Sequence, residues 1–87
     1  MDFEFDPAKS ASNLDKHGID FNEIQTLWQD PFLLTAPART SGEPRWIAVG
    51  RLYEKHWSVI YTIRGNSIRL ISARRARTEE IKAHESP

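Results

Sequence analysis

Three runs dominate the second half of the chain: "RWIAVGRLY" (45–53), "WSVIYTIR" (57–64) and "SIRLISARR" (67–75), rich in β-branched and aromatic residues and separated by only two or three residues. This spacing constrains the fold more than any other feature, because a parallel crossover needs about a dozen residues or more, whereas two or three suffice to reverse antiparallel strands. An antiparallel meander is therefore expected. Glu54 to His56 suits the first hairpin loop, and Gly65-Asn66 can supply the positive φ values of a two-residue second turn. "FLLTA" (32–36) reads as one more strand, "PARTSGEP" (37–44) as an exposed loop of turn formers, and "FEF" (3–5) as a short strand at the start.

Between "FEF" and Pro31 the pattern is helical. Asp6-Pro7 gives an N-cap followed by proline at the first helical position, where its missing N–H does no harm. A helix is expected from Pro7 to Lys16 or His17, with Gly18 as the left-handed residue that ends it. Asp20 and Glu23 have the spacing of a capping box, which opens a second helix over "FNEIQTLWQ" with Phe21, Ile24, Leu27 and Trp28 as its apolar stripe. A short last helix is expected from Thr78. The order β, two helices, meander, helix predicts an α+β fold, with helices laid on one face of an antiparallel sheet of three to four strands.

With 87 residues the chain is expected to form a single domain, 1–87, with a thin core to which nine aromatic residues contribute much of the bulk. No cysteine is present, which leaves neither a disulfide framework nor a zinc-thiolate site. The opening "MDFEFDPAK" is acidic where a secretory signal would be basic and then apolar, and no apolar run approaches the roughly 20 residues of a membrane span, so a cytoplasmic location is expected. The net charge of zero conceals an asymmetry. Residues 1–38 hold two lysines against seven acids, about −5, and residues 39–87 hold ten Lys or Arg against five acids, about +5. Either the halves neutralise each other across the fold, or the Arg-rich half presents a surface to a phosphate backbone or an acidic protein.

At roughly 100° per residue, Lys9, Asn13, Lys16 and His17 fall on one arc of the first helix, opposite Ala11 and Leu14. They form either a solvated face, on which Lys16 and His17 stabilise the helix dipole by roughly 0.3 to 1 kcal/mol each, or a phosphate-facing edge. Strict alternation in "SIRLISARRAR" puts Arg69, Ile71, Ala73 and Arg75 on one side of the last strand and Ile68, Leu70, Ser72 and Arg74 on the other. Arg69 and Arg74 are then either paired with acids of the N-terminal half or kept for an external anion, and Arg64 and Arg51 could reach the same surface. Trp46, Tyr53, Trp57 and Tyr61 are core bulk or, for one of them, a platform on which a base stacks. The three histidines lack metal-ligand spacing, no Ser-His-Asp constellation is visible and no glycine-rich phosphate loop occurs, so neither metal nor cofactor is expected.

Taken in order, "FEFDPAKSASNLDKHGIDFNEI", "DPF" at 30–32, "RWIAVGR" and "IRLISARRA" resemble the BrnT family of bacterial type II toxins over nearly the whole chain. The resemblance implies a RelE-like fold and toxicity through RNA cleavage that stops translation. It implies neutralisation by a BrnA-type antitoxin, with operator DNA met only through the toxin–antitoxin complex, in an assembly such as two toxins with two antitoxins. Metal-independent cleavage needs a base near the ribose 2′-OH, cations around the developing phosphorane and an acid for the departing 5′-oxygen. Under this reading Arg64, Arg74 and His17 are the catalytic candidates, and Lys9, Lys16, Arg51, Arg69, Arg75 and His84 are the RNA-phosphate contacts. The family pattern tends to carry a tyrosine in its last helix. "TEEIKAHES" has none, and His84 stands near that place as its substitute. The competing reading is a degenerate toxin fold that binds antitoxin or nucleic acid without catalysis.

Overall fold

The computed structural model describes residues 2–86. Asp6 accepts the Ala8 N–H at 2.9 Å and Pro7 opens helix α1, Pro7–His17. Gly18, at φ +78°, closes it by donating its N–H to the Leu14 carbonyl. Asp20 then accepts the Glu23 N–H at 2.8 Å and starts α2, Phe21–Ile24. The second helix is α-helical for only these four residues before it tightens into a 3₁₀ turn over Gln25–Gln29. A 3₁₀ turn stacks residues three apart, which places Ile24 and Leu27 together in the core, both fully buried.

Five strands form one sheet: β1 (Asp2–Glu4), β2 (Leu34–Ala38), β3 (Arg45–Leu52), β4 (Lys55–Arg64) and β5 (Ser67–Arg75), in the order β1-β5-β4-β3-β2. The α+β fold class is as expected, but the sheet is larger and mixed: β1 joins its edge parallel to β5, while the other pairs are antiparallel. β2 begins two residues later than expected, because Asp30 accepts the Phe32 N–H at 2.8 Å and holds "DPFL" in a turn. Pro37 is tolerated in β2 because that strand is an edge. Gly65 alone carries positive φ in the β4–β5 turn. The β3–β4 reversal takes only Tyr53 and Glu54, at φ +54° and +63°, so Lys55 and His56 belong to β4.

The strict alternation expected along β5 fails at one place. Tyr61 pairs with Leu70 and Ile60 with Ser72, so Ile71 has no partner and forms a β-bulge. One extra residue reverses the facing of everything after it. Ile68, Leu70, Ala73 and Arg75 therefore share one face, and Arg69, Ser72 and Arg74 share the other. The first face, with Ala48, Leu52, Trp57, Val59 and Tyr61 from β3 and β4, packs against Ile19, Phe21, Ile24 and Leu27. The 3₁₀ turn approaches so closely that a Cβ on Gly50 would lie 2.9 Å from Leu27 Cγ.

Helix α1 has its polarity inverted relative to an ordinary core helix. Its buried residues are Ser10 and Asn13, whereas Leu14 is 47% exposed. β1 covers β5 only along Ser67–Arg69, and beyond it the Ala73 N–H donates to Asn13 Oδ1 at 3.1 Å. Asn13 Nδ2 donates to the Ile19 carbonyl at 2.8 Å, and Ser10 Oγ accepts the Phe21 N–H at 2.9 Å. Asn13 thus couples helix, linker and sheet edge; it is a structural residue and not part of a solvated stripe.

The last helix, α3 (Thr78–Glu85), contributes no residue to the apolar core and lies on the opposite face of the sheet from α2. Polar contacts hold it there. Arg74 donates from Nη1 and Nη2 to the two carboxylate oxygens of Glu80, at 2.8 and 2.9 Å, and Glu80 Oε1 also accepts from Ser58 Oγ and the Arg77 N–H, each at 2.8 Å. The Arg74 guanidinium, and after it the Arg77 N–H and Ser58 hydroxyl, outweigh burial and bring the Glu80 carboxyl down to about 2.

Two stability measurements follow. Asn13→Ala strands a buried N–H and a buried carbonyl, so urea unfolding should show a loss of about 3 kcal/mol, whereas Leu14→Ser on the exposed face should change stability by less than about 0.5 kcal/mol. The Glu80 carboxyl titrates below its ordinary value of 4.5, so its contribution is complete above that value and lost as pH falls through the window down to about 2. Glu80→Gln should cost about 2 kcal/mol at pH 7, allowing for partial solvent screening, and the difference from wild type should shrink steadily below about pH 4.5.

Candidate active site

The meander has two ends, and the cationic residues divide between them. At the β4–β5 turn, Arg64 pairs with Glu43 at 3.3 Å, with both side chains about half exposed, and Arg69 lies 3.8 Å from Glu4. Arg74 stands seven residues along β5 from Ser67, the partner of Arg64, which separates the two arginines by roughly 20 Å. Arg64, Arg69 and Arg74 share a face of the sheet, yet Arg64 and Arg74 are too far apart to grip one phosphate. A hollow of about 820 Å³ lies beside the exposed loop from Arg39 to Arg45 and holds two arginines but no acid–base group.

At the opposite end, on the face carrying α3, Asp30 gathers one neighbour in sequence and two distant groups. Its Oδ1 accepts the Phe32 N–H, and its Oδ2 accepts the Arg51 N–H and faces His84 Nε2, each at 2.8 Å. The side chains of Asp30 and His84 are each only 7% exposed. Burial pushes the Asp30 carboxyl up, but the two backbone N–H groups and His84 together outweigh it and leave the group below its ordinary value. An ionised carboxylate only accepts, so His84 donates to Asp30 from Nε2, and Nδ1 is the ring nitrogen not engaged by Asp30.

The ring of His56 packs edge to face against His84, with centroids 5.0 Å apart. His56 Nε2 and His84 Nδ1 are both buried without a hydrogen-bond partner. With Asp30, Phe32, Arg51, Glu85 and Ser86 the two imidazoles line a cleft of about 400 Å³. Pairing of Arg51 with His56 across β3 and β4 is what brings the guanidinium to the same place. This cleft combines two imidazoles, a carboxylate that orients one of them, and an arginine on which no carboxylate closes among the described residues.

The remaining candidates lie along α1. Lys9, Lys16 and His17 line a shallow pocket of about 200 Å³ with Ser12, Asn13 and the bulge residues Ile71 and Ser72. His17 also lines a second pocket, of about 360 Å³, with Tyr53, Lys55, Trp57 and Arg75. The Arg75 guanidinium lies 5.7 Å from the Trp57 ring centre. The structure therefore groups Lys9, Lys16, His17 and Arg75 on the α1 side, places Arg51 and His84 in the histidine cleft, ties Arg74 to Glu80, and leaves Arg64 and Arg69 at the far end.

Neither Asp30, although part of the "DPF" motif, nor His56 was a site candidate in the sequence. Asp30 precedes a proline and reads as turn chemistry, and His56 sits in an apparent hairpin loop; only their register against Arg51 and His84 reveals them. Among the described residues no three His, Cys, Asp or Glu side chains converge as metal ligands, and no helix is long and apolar enough to cross a membrane.

A family model for the ribonuclease toxin, BrnT, of type II toxin-antitoxin systems matches residues 5–80. Comparison with curated proteins gave no significant match. The match runs from Phe5, ahead of α1, to Glu80, whose carboxylate anchors α3, and so takes in nearly every element described above. The chain belongs to the BrnT family of ribonuclease toxins of type II toxin-antitoxin systems.

Proposed function

We propose that the protein is a metal-independent endoribonuclease that arrests translation in the cytoplasm and is held inactive by a BrnA-type antitoxin. In this reading operator DNA is met only through the toxin–antitoxin complex, built from two copies of each. The observation that carries the cleavage chemistry is the cleft in which two imidazoles, each with an unpartnered buried nitrogen, stand beside Arg51.

In the proposed reaction one imidazole accepts the 2′-OH proton as that oxygen attacks phosphorus. The other gives a proton to the departing 5′-oxygen, leaving a 2′,3′-cyclic phosphate and a 5′-hydroxyl. His84, oriented by Asp30, and His56 take these two roles, and Arg51 stabilises the charge on the phosphorane oxygens. Glu85 and Ser86 line the same cleft, so RNA enters as the last turn of α3 shifts outward. Arg74 acts by holding α3 through Glu80, while Arg64 and Arg69 give outer phosphate contacts. His17, the sequence-based candidate for acid or base, serves instead as an RNA contact on the α1 side.

The non-catalytic reading draws on one observation: Arg64, Arg69 and Arg74 each have a carboxylate partner within the chain. The two readings separate on end-labelled RNA incubated with purified protein in excess EDTA. Cleavage to cyclic-phosphate ends is expected, falling about 10²-fold or more in His56→Gln and in His84→Gln, which keeps a donor toward Asp30. Arg64→Ala should lose less than about tenfold. Undiminished cleavage in the double histidine variant would remove the assigned roles, and folded wild type that neither cleaves RNA nor arrests growth would establish the binding-module reading.

A further inference from the structure

The pocket shared by His17 and the β3–β4 turn lies outside the histidine cleft and contains an unusual backbone. Tyr53 and Glu54 both adopt left-handed φ values, +54° and +63°. Two-residue turns of this kind favour Asn and Gly, and a bulky residue there is strained. Strain is ordinarily offset by packing, yet Tyr53 is 65% exposed. The turn therefore holds an aromatic ring out in solvent at a cost that its own contacts do not repay, an observed outlier of the kind found at ligand sites.

What surrounds the ring is cationic and aromatic. Lys55, Arg75 and His17 line the pocket against one acid, Glu23, and none of the three has a carboxylate within ion-pair distance among the described residues. Trp57 forms the back wall; it is only 6% exposed, and its buried Nε1 has no partner. The volume, about 360 Å³, falls in the range of roughly 300 to 1,000 Å³ of small-ligand sites. Through His17 the pocket adjoins the one lined by Lys9 and Lys16, which extends the positive surface along α1.

We infer that this pocket is a subsite for one unstacked nucleotide of single-stranded RNA, its base stacked on Tyr53 and its flanking phosphates held by Lys55, Arg75 and His17. The choice of RNA over an acidic peptide rests on the ribonuclease reading and on the exposed ring, since a carboxylate needs cations but no stacking platform. Duplex RNA is disfavoured because its bases are already stacked and cannot reach the ring. The β3–β4 turn joins this subsite to the histidine cleft: Lys55 and His56 are consecutive in β4 and project to opposite faces. One strand of RNA rounding the turn would meet both.

The test uses a fluorescein-labelled 2′-O-methyl RNA decamer, which lacks the attacking hydroxyl and cannot be cleaved, with binding read by anisotropy. Tyr53→Gly relieves the left-handed strain, so its melting temperature should equal or exceed that of wild type while its affinity falls about tenfold. Lys55→Ala and His17→Ala should each weaken binding severalfold, and Lys55→Ala should flatten the dependence of log K on log salt by about 0.7. Affinity within twofold of wild type in Tyr53→Gly overturns the subsite. So does an oligoglutamate decamer that competes as well as the RNA and loses affinity equally in that variant. Cleavage of natural RNA by wild type is scored separately: decamer binding that depends on Tyr53 without cleavage would sink the ribonuclease reading and leave the subsite standing, and the converse result would do the reverse.

Discussion

The Asp30 carboxylate is the interaction on which the arrangement of the site depends. It accepts from the turn before β2, from the backbone of β3 and from the last helix, so three segments distant in sequence meet at one buried charge. A buried carboxylate without partners would be costly; with two N–H groups and an imidazole it is held below its ordinary value and orients the His84 ring through Nε2. The oriented imidazole follows from that one group, and its hold on the Arg51 backbone ties β3, whose pairing with β4 sets the guanidinium beside His56, to the same place. Without Asp30, the C-terminal turn of α3 would lose its hydrogen bond through His84, leaving the contacts of Glu80 with Arg74 and Ser58 to tie that helix to the sheet.

A second constraint is the bulge at Ile71. It puts Arg69 and Arg74 on the same face and turns Arg75 toward the face that packs on α2. It also accompanies the place where β1 ends and Asn13 takes over as partner for the β5 edge. The single extra residue thus distributes the arginines of the last strand: Arg74 anchors α3, and Arg75 lies against Trp57 near His17. One of these arginines is thus neutralised within the chain, and the other joins the basic residues near α1.

Much of the fold was legible from local chemistry. Asp6-Pro7, Gly18 and Asp20 mark helix ends through hydrogen bonds within a few residues, and the short gaps between the last three runs leave the strands no alternative to antiparallel pairing. What local chemistry could not show was set by distant partners. The parallel docking of β1 depends on the free edge of β5, the bulge on registry with β4, and the placing of α3 on Arg74 and Asp30. The site divides in the same way: the arginines and His17 drew notice by type and pattern, whereas Asp30 and His56 acquire meaning only by facing His84. Asn13, grouped with lysines on a helical wheel, proved to be buried, because a wheel cannot tell which polar side chain has a backbone edge to satisfy.

The account places RNA at the β3–β4 end of the sheet, with the histidine cleft on one face and the Tyr53 pocket on the other. Backbone ¹⁵N NMR of the whole chain, titrated with an uncleavable single-stranded 2′-O-methyl RNA, tests this claim most directly. The account predicts that shifts concentrate at Arg51, Tyr53, Lys55, His56, Arg75 and His84, with little change at Gly65 and Asn66. Shifts confined to the Arg64 and Arg69 end, with Tyr53 and His56 unmoved, would contradict it.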